Sequence, residues 1–206
     1  MVQATAFNRM DFKEFIKWIP EDGKRYELHN GIIIEMQPTG PHELVGAFLS
    51  EEFTLEIRKE KRPYTLPKSC LLKPQIPDSG YRPDVVVLDK TQLKHEPLWA
   101  NASTVQSGET VPLVVEVVST NWRDDYGHKL VEYEAMGIAE YWIVDFRALG
   151  AVRYIGKPKQ PTITICQLID GEYQLQRLTS DQPIKSNVFP NLTLTTEAVF
   201  QAASNH

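Results

Sequence analysis

Arg82-Pro83-Asp84-Val85-Val86-Val87 and Leu113-Val114-Val115-Glu116-Val117-Val118 each set one carboxylate within or beside a run rich in β-branched residues. Such runs read as strands buried in a sheet. A carboxylate there loses its hydration, which is costly unless another group compensates the charge. A divalent cation is an effective compensator, because hard ions are held by carboxylate and carbonyl oxygens. The pair therefore predicts two sheet strands that carry a metal site where their acids meet.

Working outward, Asp11 is placed to cap a helix through Trp18, with Phe12, Phe15, Ile16 and Ile19 at helical spacing. Arg25 to His29 and Ile32 to Met36 flank Asn30-Gly31, the pattern of a hairpin with a tight turn. Pro41 to Lys61 reads as a long helix ended by Pro63, with Leu44, Phe48, Phe53, Leu55 and Ile57 on its apolar face. Tyr64 to Pro74 contains a strand, and Asp84 to Leu88 and Val111 to Val118 are two more. Lys90 to Glu109 is polar and irregular and reads as a surface insertion. Asp124 to Met136 is a helix stopped by Gly137, and Glu140 to Phe146 is a buried strand. The remainder alternates strands and turns: Ala151 to Ile155, Thr162 to Ile169, the Asp170-Gly171 turn, then Tyr173 to Leu178. This order predicts a mixed α/β (α+β) fold, a central mixed sheet flanked by helices with a β-rich C-terminal extension.

The 206 residues suit one domain, residues 1–206, with a substantial core. The formal net charge is −5, so bulk charge does not make the surface a polyanion binder. Binding to DNA would need a local basic cleft. The two cysteines, Cys70 and Cys166, lack metal-type spacing and read as small core residues in a reducing compartment. No apolar run approaches membrane-spanning length, and the N-terminus lacks a signal core, so the cytoplasm is the expected location.

Asp84 follows Pro83, and Pro-Asp is also a common turn dipeptide. Glu116 sits inside an apolar run, where a glutamate usually has a charged partner or a metal. Lys129 lies on the helix straight after the Glu116 strand, from which its ammonium can return to the carboxylates. The alternative for Lys129 is a solvated helix lysine.

These residues resemble the PD-(D/E)XK nucleases, whose fold places an Asp at one strand end and a Glu on the next strand, followed two residues later by a Lys. Pro83-Asp84 and Glu116 match; the lysine position holds Val118. Some branches of that fold move the lysine to the neighbouring helix, and Lys129 is the candidate here. The wider pattern is Tyr26-Glu27-Leu28-His29-Asn30-Gly31, His42, Pro83-Asp84, Val115-Glu116-Val117-Val118-Ser119, Lys129 with Tyr133, and Gly137-Ile138-Ala139-Glu140-Tyr141-Trp142. In that order it is similar, over roughly residues 10 to 195, to the putative restriction endonuclease family, a former domain of unknown function abundant in cyanobacteria.

The resemblance implies a restriction-endonuclease-like fold and a Mg²⁺- or Mn²⁺-dependent endonuclease acting on DNA. Asp84, Glu116 and the Val117 carbonyl would hold the ion, and Lys129 would assist the attacking water or the developing charge. Glu27 stands where the fold often adds an acid, with an exposed hairpin glutamate as the alternative. His42 is either a helix-start polar group or a proton carrier. A homodimer is expected, since members of this fold often pair and a duplex has two strands to cut. The competing expectation, from Val118 and the acidic net charge, is a non-catalytic member of the fold that acts as a binding module. Ser119 either orients Glu116 or caps the following turn, with capping favoured, and Asp145 is expected to be structural, pairing with Arg147 or Arg153. Arg58 to Arg62 suits a solvated helix end, with contact to a phosphate backbone as the alternative, and Trp99, Trp122 and Trp142 are expected to pack rather than to stack on bases.

Overall fold

The computed structural model describes residues 9–204. Helix α1 (Phe12–Trp18) begins with the expected cap: the Asp11 carboxylate accepts from Glu14 N–H, and Glu14 reciprocates. Strands β1 (Arg25–His29) and β2 (Ile32–Met36) form the hairpin in full register. Asn30 and Gly31 both take positive φ, as the tight turn requires. Helix α2 (Gly40–Glu60) follows. Its buried stripe is His42, Val45, Leu49 and Phe53, at intervals of three and four, and Leu55 is 59% exposed rather than part of the apolar face.

The region from Tyr64 to Pro74 contributes two short strands, β3 (Tyr64–Thr65) and β4 (Leu71–Leu72), before β5 (Val85–Asp89). Lys90 to Glu109 is more ordered than its polarity implies. It carries α3 (Trp99–Ala102) and β6 (Thr104–Val105), and β6 pairs in parallel with β4. The buried Glu96 carboxylate pins this segment by accepting from Gln106 N, Ser107 N and Thr110 Oγ1. Strand β7 (Leu113–Val117) leads into a π-helical turn, Asp124–His128, then α4 (Lys129–Met136), where a single uniform helix was expected. Gly137, at φ 81°, ends it as predicted.

Strand β8 (Glu140–Asp145) is followed by α5 (Val152–Ile155), a helix where a strand was expected. Its apolar run is too short to distinguish the two. Both edges of β8 are already taken by β7 and β9, so residues 151–155 find no ladder beside it. Strands β9 (Thr162–Ile169) and β10 (Glu172–Thr179) form the predicted hairpin. The chain ends in β11 (Pro183–Ile184), β12 (Leu194–Thr195) and α6 (Thr196–Ala202).

The central sheet has six strands in the order β10-β9-β8-β7-β5-β3. Only β7 and β8 are parallel within it; the other neighbours run antiparallel. Alternation sends successive side chains to opposite faces. Val85, Leu113, Val115 and Val117 pack against α2, where Phe53 lies 5.3 Å from Trp142 and 5.2 Å from Phe189. Val86, Val114 and Val118 face Tyr133 and Met136 of α4. Glu116 falls on this second face, beneath α4. Both cysteines are buried free thiols, and burial pushes the Cys70 thiol up to about 12. Among the described residues no helix is long and apolar enough to cross a membrane.

Candidate active site

The antiparallel register that pairs Val85 with Val115 carries Asp84 opposite Glu116. Asp84 Oδ2 accepts from Val117 N–H at 2.7 Å, which fixes the carboxylate to the end of β7. Its Oδ1 lies 4.0 Å from the Arg25 guanidinium, and Arg25 in turn donates to Pro83 O at 3.2 Å. His42 enters from the first turn of α2. Its Nε2 is 2.7 Å from Val117 O and 3.3 Å from Asp84 Oδ2. Burial opposes the imidazolium, but the Asp84 hydrogen bond and charge outweigh it and raise the His42 pKa.

Glu116 is sealed from solvent. Its Oε1 accepts from Tyr133 O–H at 2.7 Å and lies 3.0 Å from Lys129 Nζ. Lys129, the first residue of α4 after the π-helical turn, reaches back to Glu116 of β7. There Lys129 Nζ also donates to Glu27 Oε1 at 3.2 Å, stands 3.9 Å from Asp125 Oδ1, and lies 5.5 Å from the centre of the Tyr81 ring. Glu27 is 1% exposed, because β1 turns it inward rather than leaving it on the hairpin surface. Arg82 N–H donates to its Oε1 at 2.8 Å, and His29 Nε2 lies 2.8 Å from its Oε2.

Three carboxylates, those of Glu116, Glu27 and Asp125, thus share one buried ammonium, with the Asp84 charge nearby. Burial opposes the Glu27 charge, yet Lys129 and His29 hold its pKa down to about 2. Glu116 goes the other way: burial, together with the Asp84, Asp125 and Glu27 charges, lifts it well above the usual carboxylate range despite Lys129. Burial likewise pushes Asp125 up to about 7. Lys129 remains an ammonium, since the surrounding carboxylates overcome its own burial and raise its pKa.

The structure therefore brings together Asp84, Glu116, Val117, Lys129, Glu27 and His42. It adds three residues not singled out for chemistry: Asp125, Tyr133 and Arg25. Asp125 had a signal, since it precedes Lys129 by four residues on one helix face. Nothing in the sequence links Arg25 to Asp84. Ser119 caps its turn as expected, its Oγ accepting from Asn121 N–H at 3.4 Å. Asp145 is structural, but its partners are the backbone N–H groups of Leu149 and Gly150 (2.9 and 2.7 Å) rather than an arginine. Trp142 is fully buried, and Trp99 and Trp122 pack against the core.

Among the described residues no group of three or more His, Cys, Asp or Glu side chains is arranged to hold a metal ion. Asp84, Glu116 and Val117 line a chamber of about 20 Å³, together with the acids Glu27, Asp124 and Asp125, so its walls are rich in carboxylate oxygens. That donor chemistry fits a hard divalent cation. The surplus of carboxylates over the Lys129 ammonium fits it too, since added positive charge would relieve the pressure on Glu116 to take up a proton. Val117 O keeps a second lone pair beside its contact with His42.

Over residues 12–197 the chain matches the Uma2 family model, described as putative restriction endonuclease, and it belongs to that family. Its fold is similar to the crystal structure of a putative nuclease belonging to DUF820 from Anabaena variabilis. That likeness has a TM-score of 0.70 at 16% identity and covers 94% of this chain and 99% of the other. Comparison with curated proteins finds no match.

Proposed function

We propose that this chain is a divalent-cation-dependent endonuclease that hydrolyses DNA phosphodiester bonds. The observation that carries the reading is the Lys129 ammonium, 3.0 Å from Glu116 and 3.2 Å from Glu27, at the place where Asp84 and Glu116 converge on adjacent strands. A lysine delivered from α4 fills the role left open by Val118.

Asp84, Glu116 and the Val117 carbonyl would hold Mg²⁺ or Mn²⁺. When bound, such an ion neutralises phosphoryl charge and makes a bound water more acidic. The protein's own groups do the rest. Val117 N–H orients the Asp84 carboxylate, and Tyr133 O–H orients that of Glu116. Glu27, fixed by Arg82 N–H, holds Lys129 in place. As an ammonium, Lys129 serves as a fixed positive charge and hydrogen-bond donor for the developing oxyanion. His42, between Val117 O and Asp84, stands ready to carry a proton at Nε2. A homodimer would bring two such sites to one DNA, and the long edge strand β10 offers a pairing surface. The setting proposed is the cytoplasm.

Plasmid cleavage with Mg²⁺ or Mn²⁺ tests the reading by comparing wild type with Asp84→Ala and Glu116→Ala. Cleavage by wild type alone is the expected result, and equal cleavage by all three contradicts it. A second reading, a nuclease fold that binds without cutting, draws on the lack of a three-acid metal set among the described residues. It predicts no cleavage by wild type and no uptake of either ion at millimolar concentration.

A further inference from the structure

Two clefts meet at Asp84. One, of about 280 Å³, runs from Asp84 past Asn121 to Phe146 and Arg147. The other, of about 540 Å³, runs along α2 past Ser50 to Lys68 and Ser69. Arg25, His42 and Asp84 line both, so the clefts join at the acid site rather than standing apart from it.

The lining is chemically specific. Lys68 and Arg147 are exposed, one in each cleft, and neither side chain has a hydrogen-bond or ion-pair partner among the described residues. Arg25, at the junction, is held by Pro83 O at 3.2 Å and lies 3.6 Å from Glu43. Phe146, next to Arg147, lines the same cleft and is half-buried, with part of its side chain packed against the core. Cations that track a backbone, together with an aromatic ring on which a base can stack, are the chemistry of single-strand binding. Clefts of this size suit about one or two nucleotides each, and a double helix, which carries two backbones around a stacked core, is too broad to enter them. The formal net charge of −5 also argues against a broad duplex-binding face.

We infer that the two clefts form one track for an unpaired DNA strand, which passes Lys68 on one side of the acid site and Phe146 and Arg147 on the other, with the reactive phosphate at Arg25 and Asp84. This rests on reading the acid site as a nuclease centre. It adds that the substrate is engaged one strand at a time.

The test is fluorescence anisotropy with a fluorescein-labelled oligothymidylate and the full-length Glu116→Gln protein, without divalent cation, over a range of salt. The strand should bind more tightly than its duplex with oligodeoxyadenylate. Lys68→Ala and Arg147→Ala should each weaken strand binding about threefold or more and flatten the salt slope by about 0.7. Lys185→Ala, away from both clefts, should leave affinity and slope unchanged. The inference is overturned if the parent protein does not bind the strand, if the duplex binds more tightly, or if the cleft variants behave like Lys185→Ala. Because cutting plays no part in this measurement, strand binding by a protein that never cleaves DNA would keep the track and remove the nuclease reading. Cleavage with unchanged binding in the cleft variants would do the reverse.

Discussion

Glu116 and Glu140 lie on neighbouring strands of one sheet, and both are sealed from water. Glu140 is satisfied by neutral, fixed donors. Its Oε1 accepts from the Trp142 indole at 2.6 Å, and its Oε2 accepts from Asn187 N–H at 2.7 Å and Val188 N–H at 3.3 Å. It pins the C-terminal segment to the sheet. Glu116 instead faces an ammonium shared with two other carboxylates, and its charge is incompletely balanced. A buried strand carboxylate is therefore not in itself a sign of a metal site. What distinguishes the two is whether their neighbours are amides or further charges.

The largest expected effect breaks the comparison at Glu116. Glu116→Gln should lower Mg²⁺-dependent plasmid cleavage by at least about 100-fold, as loss of one directly acting polar group does elsewhere. Without cation its stability in urea should equal or exceed that of wild type, because a desolvated acid has been removed. Glu140→Ala should do the opposite. It strands an indole N–H and backbone N–H groups in the core, at a cost of about 3 kcal/mol in urea denaturation, while the residual folded protein still binds cation.

The acids flanking Glu116 should separate by pH. The folded pKa of Glu27, about 2, lies below its ordinary 4.5, so its contribution is present above about pH 4.5 and lost as pH falls towards 2. That contribution is about 3 kcal/mol, and Glu27→Gln should flatten the acid limb of a stability–pH curve. Asp125 has the opposite sign. Its folded pKa is raised from 3.8 to about 7, so it costs stability as pH rises across that interval. In the absence of cation, Asp125→Asn should be more stable than wild type above pH 7, by up to about 4 kcal/mol. The smallest effect belongs to Tyr133→Phe, which removes one hydrogen bond to Glu116 and should weaken cation-dependent cleavage about tenfold with the fold intact.

Much of this was legible in the chain. The Asn30-Gly31 turn, the limits of α2 and strands β5, β7, β8 and β9 follow from local chemistry that tertiary packing did not override. So did the meeting of Asp84, Glu116 and Lys129, since strand alternation and a short connection to α4 constrain it. Segments whose structure depends on a distant partner were not legible. Residues 151–155 look like a strand until β8 is known to be filled on both sides, and Lys90 to Glu109 looks irregular until Glu96 gathers its amides. Arg25 joins Asp84 only because β1 folds beside Pro83. Glu140 and Glu116 read alike in sequence because the donors that separate them come from residues far along the chain.

The central claim, that the charge imbalance around Glu116 is a cation site, is tested most directly by calorimetric titration of Mn²⁺ at neutral pH into wild type, Glu116→Gln and Glu140→Gln. Saturable binding by wild type and Glu140→Gln, and none by Glu116→Gln, is the predicted result. No binding by wild type, or equal binding by all three, would contradict it.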